Sequence, residues 1–134
     1  ETLPGYLPLF NHEGMSKYFV ANASSQLGAD NVTQMGHRSG STDMGDISHV
    51  MPTLHPYISG ASGSGHGADY KITDPKLAYV ENAKQLALMA VDMLWDGAKN
   101  AKGIIAEFKP RLTKEAYLSF QRGINKTELF DGAK

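Results

Sequence analysis

Apolar residues recur along this chain at spacings that change character several times. Met15, Tyr18, Phe19, Ala23 and Leu27 fall on one face of a helix, with Asn11 ahead of them as a cap and Gly28 behind. A side-chain acceptor, an apolar stripe and a terminal glycine in that order predict a helix from His12 to Leu27. Asn31–Met35, short and with β-branched residues, reads as a strand, and 36–40 as a turn. Ser41, Thr42 and Asp43 then offer side-chain oxygens ahead of a short helix in MGDISHV, with Asp43 as its cap and Asp46 as a solvated first-turn acid. Met51–Ser59 alternates like a strand, which Pro52 and Pro56 limit to an edge because each removes a ladder donor.

The strongest pattern follows. Asp74 caps, Pro75 takes the first turn, and Leu77, Val80, Ala83, Leu86, Ala87, Val91, Leu94 and Trp95 continue at helical spacing to Gly97. From Leu86 to Trp95 nearly every side is apolar, so this helix is expected to run through the core, with Met89, Met93 and Trp95 as core residues. Ile104, Ile105 and Phe108 continue the helical habit before Pro110, and Thr113 caps a last helix carrying Ala116, Tyr117, Phe120 and Ile124. Helices alternating with a few short strands predict an α/β layer arrangement, thin in strands and built around one long buried helix.

The length of 134 residues fits one unit with a modest core. A formal charge of −1 gives no electrostatic footprint for nucleic acid or an anionic membrane, and no apolar run reaches the roughly 18 residues that span a bilayer. Cysteine is absent, which removes disulfides, thiolate metal sites and a cysteine nucleophile. The start, ETLPGYLPLF, is too apolar for a free end and reads as the middle of something longer.

Polar chemistry concentrates between His37 and Asp69, where four of the five histidines lie with Asp43 and Asp46. Imidazole and carboxylate are the donors zinc accepts when thiolates are missing. The run GASGSGHGAD sets His66 among glycines and serines too small to pack. Read locally, such a histidine is either a solvated loop residue or a ligand whose small neighbours allow close approach. His49 and His55, beside apolar residues, read as packed and hydrogen-bonded. The glycine spacing matches neither a P-loop nor GxGxxG, and no GxSxG elbow is present.

The segment SGSTDMGDISHVMPTLHPYISGASGSGHGADYKITDPKLAYVENAKQLALMAVDML resembles the end of the catalytic domain of dinuclear zinc amidohydrolases of the aminoacylase and glutamate-carboxypeptidase type, nearest to the aminobenzoyl-glutamate hydrolase branch. PGYLPL is similar to the point where such chains re-enter the catalytic domain after a small lid domain. The resemblance implies that residues 1–134 are a carboxy-terminal piece of an α/β catalytic domain whose amino-terminal half and lid are elsewhere. It also implies that His66 ligates one of two zinc ions, and that Thr42, Asp43 and His55 are candidates for substrate or supporting contacts. The parent would cleave an amide bond of an N-acyl amino acid or dipeptide-like small molecule in the cytoplasm, through a zinc-activated water and a glutamate base. Neither the family's HxD motif nor its adjacent glutamates occur here. The piece is therefore expected to be inactive alone, not to bind two zincs fully, and to need the amino-terminal half as partner, with neither nucleic acid nor membrane involved. Two other readings compete: an anion-binding module that uses the Gly60–Gly67 backbone as a nest, and a structural piece that assembles with another chain or itself.

Overall fold

The computed structural model describes residues 1–36 and 40–132. The order is α1 (Glu13–Leu27), a 3-10 turn (Ala29–Asn31), α2 (Met44–Ser48), β1 (Ala61–Ser62), β2 (Lys71–Ile72), a π-helical turn (Lys76–Glu81), α3 (Asn82–Glu107) and α4 (Lys114–Ile124). This is a helix-rich partial α/β arrangement, whose one sheet pairs β1 with β2 antiparallel. The chain's amino terminus is tied to the end of α4 by an antiparallel bridge between Thr2 and Lys126.

α1 forms where its pattern predicts, but its cap differs. His12 accepts from Met15 N–H through Nδ1, while the Asn11 side chain accepts from His55 N–H at 2.8 Å. Neither expected strand outside the hairpin forms a ladder among the described residues. Asn31 is wound into the 3-10 turn by its own amide, which donates to Leu27 O at 2.7 Å. In 51–59 the prolines lack donors, and the backbone groups that remain are taken individually: Thr53 O by His12 N–H, and His55 N–H by Asn11. The turn expected at 36–40, together with His37, falls on 37–39, outside the described residues.

The amino-terminal segment is clamped onto α2. Leu7 N–H donates to Asp46 Oδ1 at 2.8 Å, and Phe10 N–H to the buried Ser48 Oγ at 3.1 Å. Asp46 is thus a tether, not a solvated acid, and Gln121 on α4 reaches the same oxygen at 3.5 Å. The approach is close enough that a Cβ on Gly45 would overlap Leu7 O. Gly45→Ala is expected to peel residues 5–10 off α2 and cost about 2 kcal/mol, the worth of the two tethers lost. Denaturant unfolding measures the loss, and faster amide exchange at Leu7 and Phe10 locates it.

α1 and α3 run antiparallel. Asn22 donates to Asp92 at 2.6 Å near one end, while Gly14 faces Ile104 and the His12 and Phe108 rings lie 6.0 Å apart at the other. Buried Ala23, Met89 and Ile104 fill the space between. From residue 14 to 22 a helix rises about 12 Å, but from 92 to 104 it would rise about 18 Å. The surplus turn is looped out at Trp95–Ala98, where Asp96, Gly97 and Ala98 take φ of 51°, 65° and 62°. Asn100 then donates to Asp92 O at 2.8 Å, a bond across eight residues that an unbroken helix would hold about 12 Å apart. The apolar pattern, which stops at Gly97, marks this break. Ala98→Gly should raise stability by about 1 kcal/mol, because a Cβ is unfavourable in the left-handed region; the shift of the unfolding midpoint is the readout.

The expectation that α3 is buried all round is corrected. Met89 is buried, but Leu86, Val91, Leu94 and Trp95 are exposed. α1 is the one helix that packs broadly along α3 among the described residues, so one face is covered and another is not.

Candidate functional site

The run around His66 is the tip of the β1–β2 hairpin, with Ala61 opposite Ile72 and Ser62 opposite Lys71. Two of its glycines, Gly63 and Gly67, are needed for closeness. Gly63, at φ 96°, would place a Cβ 2.5 Å from Asp69 O, and one on Gly67 would stand 2.5 Å from Asp69 Oδ1. The carboxylate of Asp69 is folded into the loop, where both oxygens accept from Ser64 N–H at 3.3 Å. Gly67 N–H closes a turn onto Ser64 O at 2.8 Å, and Tyr70 N–H a second onto Gly67 O at 3.2 Å. His66 occupies the third position of the first turn at φ 65°, where turns of this kind usually carry glycine. It is exposed. A non-glycine residue held in this region costs of order 1 kcal/mol, and such strain clusters at functional sites.

The hairpin is fixed to the start of the long helix through Gly60. Gly60 O accepts from Thr73 N–H at 2.9 Å and Asp74 N–H at 3.0 Å, and Gly60 itself, at φ 120°, lies against Ala78. Asp74 caps as its sequence position predicts, accepting from Leu77 N–H at 2.9 Å. His66 is therefore positioned by a short path: π-turn, Gly60 junction, hairpin.

The other candidates stand elsewhere. Thr42, not Asp43, receives the first amide of α2: Met44 N–H donates to Thr42 Oγ1 at 3.3 Å, and the Asp43 side chain makes no cap bond. Thr42 in turn donates to Asp43 Oδ1 at 3.2 Å. His55 stacks on Tyr57 with ring centroids 5.3 Å apart, and its Nδ1 is buried without a hydrogen-bond partner among the described residues. His49 is structural as expected. Its Nε2 lies 3.0 Å from Pro8 O, its ring meets Phe10 edge-on, and its carbonyl accepts from Arg111 and Leu112. The Arg111 guanidinium covers Phe10 at 3.7 Å.

Among the described residues no three His, Asp or Glu side chains converge as a metal-binding group. His66, with an exposed imidazole on a glycine-flanked tip, fits one position of a zinc shell. A catalytic zinc takes three protein donors, more than the described residues bring together. Sequence reasoning missed Asp46 as a tether and Gly60 as the junction. Close approach by a distant segment fixes both, and local pattern does not reveal it.

The chain is similar to dipeptidases. It is 27% identical over 122 residues to the human protein named Xaa-Arg dipeptidase, an alignment covering 85% of this chain and 28% of that relative. It is 35% identical over 86 residues to the mouse Xaa-Arg dipeptidase, covering 60% and 20%. The chain thus spans less than a third of the length of either relative. No family model and no solved structure matches. The likeness is to proteins named as peptidases, and it gives no support to the aminobenzoyl-glutamate branch, since both relatives carry the name dipeptidase. Among the described residues no helix is long and apolar enough to cross a membrane.

Proposed function

We propose that this chain is one segment of a zinc-dependent, dipeptidase-like amide hydrolase, that it supplies a single metal ligand, His66, and that it is inactive by itself. The observation that carries the reading is the left-handed backbone of His66 at the tip of a hairpin whose Gly63 and Gly67 close tightly on Asp69, in a chain similar to dipeptidases. A bound zinc would polarise the scissile carbonyl and activate a water. This chain's own residues orient: the hairpin holds the imidazole, the Gly60 junction fixes it to α3, and the exposed Asp43 at the start of α2 remains free of capping to meet a substrate group. Thr42 orients Asp43 by the hydrogen bond between them, and His55 retains Nδ1 as an uncommitted donor or acceptor. The substrate class that follows from the relatives' name is a small dipeptide ending in arginine, which an acidic residue such as Asp43 suits. The enzyme is proposed to act in the cytoplasm.

The anion-nest reading fits less well, because the loop already has its own anion. Ser64 N–H faces Asp69, and Gly67 and Tyr70 N–H are spent in turns.

The test is reconstitution. The chain is mixed with the part of the human Xaa-Arg dipeptidase outside the matched segment, with zinc, and hydrolysis of dipeptides ending in arginine is followed. Hydrolysis by the mixture and by neither piece is expected, with Asp43→Asn raising KM for arginine dipeptides more than for neutral ones. Hydrolysis by this chain alone would defeat the proposal.

A further inference from the structure

α3 carries its polarity the wrong way round for a helix that ends at the surface. Gln85 is 1% exposed, with neither amide atom hydrogen-bonded among the described residues, while Leu86 beside it is 60% exposed. Val91, Leu94 and Trp95 are 55%, 67% and 76% exposed. Leu86, Ala90 and Leu94 recur every four residues and so form one stripe; Ala90, Val91, Leu94 and Trp95 line a shallow hollow of about 330 Å³. The run from Gln85 to Val91 carries no charge, and Asp92 is turned to Asn22 on α1. Contiguous apolar surface of this kind marks an interface.

We propose that this side of α3 is the seat of the remainder of the amide-hydrolase domain, and that seating there brings the other metal ligands to His66. The proposal rests on the function proposed above. Three observations select this occupant. The chain spans 28% and 20% of its two relatives, so most of the length of such a protein lies outside it. The stripe is uncharged, as a surface that joins a domain core must be. Finally, the Gly60 junction locks the hairpin to the start of the helix, so a body fixed on α3 is also fixed relative to His66. A second copy would cover the same apolar surface but brings only the donor set already present. Trp95 marks the far end of the stripe, held outward by the left-handed turn that follows it.

Trp95 is the chain's single tryptophan and reports the docking directly. The chain is titrated with the part of the human relative outside the matched segment, with and without zinc, and tryptophan emission is recorded. A saturable blue shift at equimolar ratio is expected. Leu94→Asp should weaken the association about tenfold or more, the effect of a single unfavourable group at a seat of this kind. Leu94 is 67% exposed, so the variant's circular dichroism and thermal transition should match those of the parent chain. Because coupling is reciprocal, zinc should tighten the association and Leu94→Asp should lower zinc affinity, although Leu94 touches no metal. His66→Ala should leave the zinc-free titration unchanged and abolish the tightening by zinc. Absence of association, association indifferent to Leu94→Asp, or the same blue shift in the chain alone as it self-associates would each overturn the proposal. Docking sensitive to Leu94→Asp, with zinc affinity indifferent to His66→Ala, would keep the seat and defeat the metal reading. Zinc affinity that depends on His66, with docking indifferent to Leu94→Asp, would do the reverse.

Discussion

Gly60→Ala is expected to lower the stability of the chain by about 3 kcal/mol and to loosen the His66 hairpin before the rest unfolds. Two costs act together. At φ 120° an L side chain is strained by roughly 1 to 3 kcal/mol. The new Cβ would also stand 2.8 Å from Ala78 N, 2.9 Å from Ala78 Cβ and 3.0 Å from Asp74 O; overpacking of this kind costs about 1 to 3 kcal/mol. None of these atoms is the end of a flexible side chain, so the hairpin must move off the helix start. Relief by peeling, which limits the cost at Gly45, is closed to Gly60, which is internal and bonded through its carbonyl to Thr73 and Asp74. For a chain of this size the melting temperature should fall by about 10 °C. Amide exchange should accelerate first at Thr73 and Asp74. Gly65→Ala is the control: nothing lies within 4 Å of its added Cβ, and its φ is not positive, so a change within about 0.5 kcal/mol is expected. Equal losses in the two variants would show that the junction does not hold the hairpin.

That contrast between two glycines five residues apart indicates what the sequence can and cannot disclose. The helical stripe was readable at α1, though not its cap, and caps were readable at Asp74 and at Thr113, where Ala116 N–H donates to the hydroxyl at 3.1 Å, because helix formation is settled within a few residues. The break near Gly97 was readable for the same reason. Strands were not, since pairing depends on a partner elsewhere, and at Met51–Ser59 the prolines and the claims of Asn11 and His12 took the backbone groups first. Burial was misread on α3 because apolarity on all sides says that a helix wants cover and not whether this chain provides it. At the site, glycines and a histidine were visible as composition, but the tightening role of Asp69, the type of turn at His66 and the grip of Gly60 on Ala78 are tertiary facts.

Replacing His66 tests whether the strained position serves a ligand, and two substitutions separate strain from ligation. His66→Ala keeps a Cβ in the left-handed region and removes only the imidazole. His66→Gly removes both. If the imidazole is one of about four donors sharing the roughly 10 to 16 kcal/mol of a protein zinc site, its loss costs about 3 kcal/mol, or roughly a hundredfold in affinity. Both variants should therefore bind zinc about a hundredfold more weakly in the reconstituted pair, measured by calorimetry. Their stabilities should diverge. His66→Gly should unfold at higher denaturant than the parent chain, by about 1 kcal/mol, because the φ of 65° no longer carries a penalty. His66→Ala should gain nothing of this kind. A residue kept for folding would show the opposite pattern, with glycine lowering stability and zinc affinity indifferent to both changes. A gain in stability paired with a loss in zinc affinity would mean that the chain tolerates a strained turn in order to hold an imidazole where a metal can reach it.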